Sequence, residues 1–92
     1  MYSEKTVVIN KTGLHARPAS EFVSMAKQFP CNLTVRRPGD SEDEAVNAKS
    51  VVLLLSIGFC EGEEIEISAE GEGEQQAVKA LVNLLATGFG EV

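Results

Sequence analysis

Between Glu63 and Ala69 the chain reads EEIEISA, in which Ile65, Ile67 and Ala69 alternate with Glu64, Glu66 and Ser68. Successive side chains of an extended strand point to opposite faces, so this segment carries one apolar face and one wetted face. The apolar face must be covered by a second layer while the other stays in water. That requirement favours an antiparallel sheet with helices on one side only.

The natural cover follows at once. From Glu74 to Thr87, residues Ala77, Val78, Leu81, Leu84 and Leu85 form a stripe at helical spacing, with acidic residues in front and Gly88 behind. A second amphipathic helix is expected from Ala16 to Gln28: Ala19, Phe22, Val23, Ala26 and Phe29 recur on one face, Arg17, Ser20, Glu21, Ser24, Lys27 and Gln28 share the other, and Pro30 ends it. Lys5 to Ile9 is β-branched and reads as a first strand, followed by a polar turn from Asn10 to Gly13. Asn32 to Arg37 alternates Leu33 and Val35 with Thr34 and Arg36, the period of a half-buried strand. Pro38, Gly39 and Asp40 make a turn that the acidic run Ser41 to Glu44 extends as a solvated loop, and Glu44 to Ala48 returns as a short partner strand. The run KSVVLLLSIG suits either a buried strand or a short helix. Ser50 as an N-cap and Gly58 as a terminator favour the helix. The order is strand, helix, strand, strand, helix, strand, helix (βαββαβα), an α+β two-layer architecture without repeats or low-complexity linkers.

At 92 residues there is room for one domain, spanning 1–92, with one core. A hydrophobic fraction of 43% with one Tyr and no Trp leaves little for an elaborate internal cavity, so a surface site is expected. Eight basic against 14 acidic residues give a net charge of -6, which opposes nucleic acid or an anionic membrane as partner. Cys31 and Cys60 stand without a CxxC pattern and beside a single histidine, so they read as small apolar fillers, with no metal or redox cofactor expected. No charged segment followed by an apolar run opens the chain, and the longest apolar stretch, Val51 to Leu55, is too short to span a bilayer. A soluble cytoplasmic protein with reduced thiols is the expectation.

The one histidine lies in TGLHARPAS, immediately ahead of the expected Ala16 helix. It is either an ordinary loop residue, with Thr12 or His15 itself capping the helix, or a functional group at an anion site. In the second reading, the free amides and positive dipole end of the helix attract an anion, Arg17 adds a bidentate guanidinium, and Pro18 is tolerated in the first turn. An imidazole there can accept a phosphoryl group whose charge is already compensated, since phosphoryl transfer is mostly positioning and charge neutralisation. Gly13 is expected to keep the approach open. Neither cysteine has a local motif that would make a Cys/His nucleophile pair.

At these residues a family resemblance enters. GLHARPAS resembles the active-site signature of HPr, the histidine-containing phosphocarrier of the phosphoenolpyruvate-dependent sugar phosphotransferase system. NAKSVVLLLSIG, EEIEISAEG and the terminal GFGE are also similar to that family, in order along nearly the whole chain. The resemblance implies an open-faced sandwich of four antiparallel strands with three helices on one face. It implies that His15 takes a phosphoryl group on Nδ1 from phospho-enzyme I and passes it to the A component of a sugar-specific enzyme II, with Arg17 attending the phosphoryl group and no turnover of its own. The partner surface it implies includes Ala16, Ser20, Ser24 and Lys27 on the first helix and Lys49, Val51, Val52 and Leu55 in the second contact segment. Core packing is the other role open to the three apolar residues, and at least one of them is expected to take it. Ser50 matches the family's regulatory serine, which HPr kinase/phosphorylase modifies and the catabolite control protein reads.

Two departures from the family pattern stand out. Methionines common after the serine are replaced by Val52 and Leu55, which bears on partner range, and the turn between Arg37 and Ala45 is longer and more acidic. Two other classes stay in view: a regulatory homologue that binds a transcription factor without phosphoryl flux, and an unmodified ligand-binding or dimerisation module.

Overall fold

The computed structural model describes residues 1–91; Val92, the last residue of the expected domain, and the side chain of Glu42 lie outside the described residues. The strands are β1 (Tyr2–Val7), β2 (Asn32–Arg36), β3 (Val46–Asn47) and β4 (Glu64–Glu70), and the helices α1 (Ala16–Ala26), α2 (Val51–Ile57) and α3 (Glu74–Ala86). Short 3₁₀ turns occupy Glu42–Glu44 and Gly88–Gly90. The strands form one antiparallel sheet in the order β1-β4-β2-β3.

The alternating strand β4 is one of the two inner strands. It pairs Ile67 with Glu4 of β1 on one side and with Val35 of β2 on the other. Ile65, Ile67, Ala69, Leu33 and Val35 are buried, and α3 covers them with Ala77, Val78, Leu81 and Leu85. From α1 come Ala19, Phe22, Val23 and Ala26. On the outer face Arg36 pairs with Glu66 at 3.3 Å and the Ser3 and Ser68 hydroxyls lie 2.8 Å apart, so that face is held by polar groups in water. The expected two-layer sandwich with helices on one face is what the chain forms. Among the described residues no helix is long and apolar enough to cross a membrane.

Several boundaries differ from expectation, each for a local reason. The first strand begins at Tyr2 and ends at Val7, earlier than Lys5–Ile9, because pairing with β4 runs from Tyr2 opposite Ala69 to Val7 opposite Glu64. Val8 then turns inward to the core and its carbonyl accepts from the Gly62 amide at 2.7 Å. β3 shrinks to two residues because the acidic run closes on itself: the Glu44 amide donates to the Ser41 carbonyl at 3.0 Å. α1 stops at Ala26, where the Gln28 and Phe29 amides bond three residues back and tighten the last turn ahead of Pro30.

The ambiguous run KSVVLLLSIG is a helix. Ser50 Oγ accepts from the Leu53 amide at 3.3 Å, and Gly58 ends α2 in the left-handed conformation at φ 71°. Seven residues set against α1 and β3 bury little, and the core position is Leu54. Val51, Val52, Leu53 and Leu55 are exposed by 37, 72, 42 and 42%. The expectation that Val51, Val52 or Leu55 would pack into the core is therefore corrected: their neighbour does so.

Truncating the two kinds of leucine-run residue should separate them. Leu54→Ala should cost about 2–5 kcal/mol in urea unfolding, whereas Val52→Ala should change stability by no more than about 0.5 kcal/mol.

Candidate functional site

The site is built on the loop from Val8 to His15 that leads from β1 into α1. Asn10 is fully buried, and its Nδ2 donates to the Gly13 carbonyl at 2.9 Å while the Gly13 amide donates back to the Asn10 carbonyl at 3.2 Å. Leu14 is buried, and its amide donates to the Phe59 carbonyl at 3.0 Å. Gly13 lies at φ 71°, and a Cβ there would sit 2.4 Å from the Phe59 carbonyl oxygen. Glycine is thus required for contact with the segment between α2 and β4. Its expected role, leaving room for an approaching group, is replaced by close backbone packing.

The other side of the loop is held by Glu91. One carboxylate oxygen accepts from the Thr12 amide at 3.0 Å and from Asn10 Nδ2 at 3.1 Å, and the other accepts from the Thr12 hydroxyl at 2.9 Å. The Thr12 amide first, then Asn10 and the Thr12 hydroxyl, hold this carboxyl below the ordinary carboxylate value, with a contribution from the Arg17 charge. Because the folded-state value is depressed, the clamp contributes stability above the unfolded value and loses it as pH falls through the folded one.

His15 comes next, half-buried, with an extended backbone at φ −128° and ψ 161°. It occupies the N-cap position, but its ring makes no capping hydrogen bond, and the Thr12 hydroxyl is engaged by Glu91. Neither residue caps the helix through its side chain, which leaves the imidazole without structural duty at the helix end. Its Cε1 lies over Gly58, where a Cβ would approach it to 3.6 Å. Ala16 opens α1 at φ 51°, a left-handed value that costs an L-residue roughly 1–2 kcal/mol. The regular turn therefore begins at Arg17, not at Ala16.

Arg17 is exposed, and among the described residues its Nη2 makes only a long 3.5 Å bond, to the carbonyl of Phe89, itself at φ 54° in the closing turn. Arg17, Ser20 and Ser24 line an open groove with Glu21 on the α1 side, facing Leu84, Thr87 and Phe89. Lys27 is exposed just past the helix end. Lys49 is not a free basic edge: its Nζ donates to the Phe29 carbonyl at 2.6 Å, tying the start of α2 to the end of α1. Ser50 is at the far end of α2 from Gly58, and seven residues at 1.5 Å each separate the two ends by about 10 Å. Ser50 is thus set apart from His15 along α2. Of the two cysteines, Cys31 is buried as expected, whereas Cys60 is exposed and so is no filler.

Three supports of the site were not legible in the residues around it. Glu91 is 81 positions from Asn10, and only the terminal GFGE hints at it. Gly58 reads as a helix terminator, with nothing to link it to the histidine. Beneath that segment Arg37 and Glu63 pair at 3.2 Å.

A model of the PTS-HPr family, described as the PTS HPr component phosphorylation site, matches residues 2–87. The phosphocarrier protein HPr of Haemophilus influenzae is 44% identical over 87 residues, 95% of this chain and 98% of its own length. The multiphosphoryl transfer protein of the same organism is 37% identical over 82 residues, 89% of this chain and 16% of its own length. Among solved structures, HPr-C-His from Thermoanaerobacter tengcongensis superimposes with a TM-score of 0.89 at 41% identity, covering 100% of this chain and 99% of that one. Fold and likeness together define a small phosphocarrier component of the phosphotransferase system. The chain belongs to the PTS-HPr family.

The clamp yields a pH signature. The Thr12 amide proton resonance should titrate with a midpoint below the ordinary carboxylate range, following Glu91, and Glu91→Gln should abolish that titration.

Proposed function

We propose that His15 accepts a phosphoryl group on Nδ1 from phospho-enzyme I, charged by phosphoenolpyruvate, and passes it to the A component of a sugar-specific enzyme II. The chain does this in the cytoplasm as one domain and without turnover of its own. The observation that carries this reading is an imidazole that makes no capping bond, standing at the start of α1, with the weakly held Arg17 guanidinium two residues on.

In the transfer, a lone pair on the ring nitrogen attacks phosphorus as the bond from phosphorus to the donor breaks; onward transfer reverses the roles. The negative charge carried by the phosphoryl oxygens is met by the positive end of α1 and by Arg17. Among the described residues Arg17 gives up one long bond, to Phe89, to turn toward them. The exposed Val51, Val52 and Leu55 on α2, with Ala16, Ser20 and Ser24 on α1, support a partner surface, and Lys27 and Arg17 suit acidic groups on the partner despite the acidic body. Lys49 contributes to the same face through its stem, since its ammonium is bonded to Phe29.

Ser50 is the proposed regulatory site, modified by HPr kinase/phosphorylase and read in that state by the catabolite control protein. A phosphate at the N-cap of α2 suits the helix dipole but places up to about two negative charges at the edge of the docking face. Regulation then acts by repulsion of an acidic partner, at the far end of α2 from the histidine.

Intact-protein mass spectrometry after incubation with phosphoenolpyruvate and enzyme I should show one acid-labile phosphoryl adduct on the native chain and none on His15→Ala. Arg17→Gln should still be charged but about 10²-fold more slowly, the scale of losing one charge-stabilising donor. An adduct on His15→Ala would contradict the assignment. Ser50→Asp should lower kcat/KM for charging about tenfold, equivalent to about 1.4 kcal/mol of lost association, while leaving the urea midpoint nearly unchanged.

A further inference from the structure

The segment Ile57–Cys60 lies directly against the histidine loop: Gly58 faces the His15 ring and the Phe59 carbonyl accepts from Leu14. Its own stability therefore sets how firmly the ring is placed. Gly58 ends α2 with a long 3.5 Å bond to Leu54, so the last carbonyls of the helix need other partners.

Arg37, which follows β2, supplies them. Its Nη2 donates to the Ile57 carbonyl at 3.0 Å and lies 3.4 Å from that of Gly58, and the guanidinium sits 5.2 Å from the centroid of the Phe59 ring. A cation suits the negative end of α2 and the face of an aromatic ring. Glu63 completes the arrangement: it accepts from Arg37 Nε and Nη2 at 3.3 and 3.2 Å, and from the Cys60 amide at 2.7 Å. The Cys60 amide first, then Arg37, hold its carboxyl below the ordinary carboxylate range, and the His15 charge acts in the same direction.

We propose that Arg37 and Glu63 form a buttress that fixes Ile57–Cys60 from beneath, making them positioning residues for His15. Neither touches the reacting atoms. Arg37 holds the carbonyl at which α2 stops, Glu63 holds the amide two residues beyond Gly58, and the ion pair locks one to the other. Ordinary surface ion pairs contribute little. This one differs because both partners also bond backbone groups of the same four-residue segment: losing Arg37 frees the carbonyls of Ile57 and Gly58, losing Glu63 frees the Cys60 amide, and either loss removes the ion pair that ties the two together.

The inference rests on the proposed phosphoryl transfer at His15 only for its kinetic consequence; placement of the ring is tested without enzyme I. Arg37→Met, Arg37→Lys and Glu63→Gln are compared with Arg36→Met, which removes an outer-face charge pairing with Glu66. In each of the first three, the His15 Cε1–H resonance and the Gly58 amide resonance should move, while in Arg36→Met both stay. Arg37→Lys should resemble Arg37→Met because an ammonium cannot reproduce the planar fork. Charging by enzyme I should lose about tenfold in kcat in Arg37→Met, a modest misplacement of the ring, with KM nearly unchanged because the docking residues are untouched. Should Arg37→Met not fold, Arg37→Lys and Glu63→Gln decide. Unmoved His15 and Gly58 resonances in folded variants would overturn the proposal. A wild-type chain that enzyme I does not charge would count against the transfer reading, and the resonances would still decide the buttress.

Discussion

Leu14 buries its side chain completely while its amide donates to the Phe59 carbonyl at 3.0 Å, and the neighbouring Gly13 comes so close that any Cβ would collide with the same oxygen. This backbone contact joins the loop after β1 to the segment before β4, and everything at the site follows from it. It places His15 over Gly58, sets the direction in which α1 departs, and leaves Ala16 in a left-handed conformation that the surrounding contacts must sustain. Burial of Leu14 and Phe59 on one core couples the precision of the site to the stability of the whole sheet.

Electrostatics then divide the acidic chain into fastened and free charges. Glu91 and Glu63 are both used on backbone amides near the histidine, one clamping Thr12 and the other Cys60. Several cations are tied as well: Arg36 to Glu66, Arg37 to Glu63, Lys79 to Glu4, and Lys49 to a carbonyl. Arg17, with one long bond among the described residues, and the exposed Lys27 are the cations of the proposed docking face that can answer an incoming anion or acidic partner. A chain of net charge -6 can thus present cationic points at the two ends of one helix.

Much of the fold was legible in the sequence because its strongest patterns are local. The alternation in EEIEISA identified a strand with one covered face, and the stripe from Ala77 to Leu85 identified its cover. The strand and helix ends were less legible, since pairing partners decide them: β1 extends to Tyr2 because β4 extends to Ala69. The histidine and Arg17 stood out from their position ahead of a helix and from family resemblance, but the supports did not. Glu91, Gly58, Arg37 and Glu63 act across long sequence separations, and each reads locally as a tail residue, a helix stop or a surface charge. For α2, apolar composition pointed to the core for residues that the short helix in fact leaves in water.

The most direct test of the account is to follow a phosphoryl label through the chain. The chain is charged with labelled phosphoenolpyruvate and enzyme I, separated from both, and mixed with the A component of an enzyme II. The account predicts that the label, held on His15, leaves the chain and appears on that component in equal amount. Label that stays on the chain in the presence of an acceptor that discharges an authentic HPr, or that sits on a residue other than His15, would contradict it.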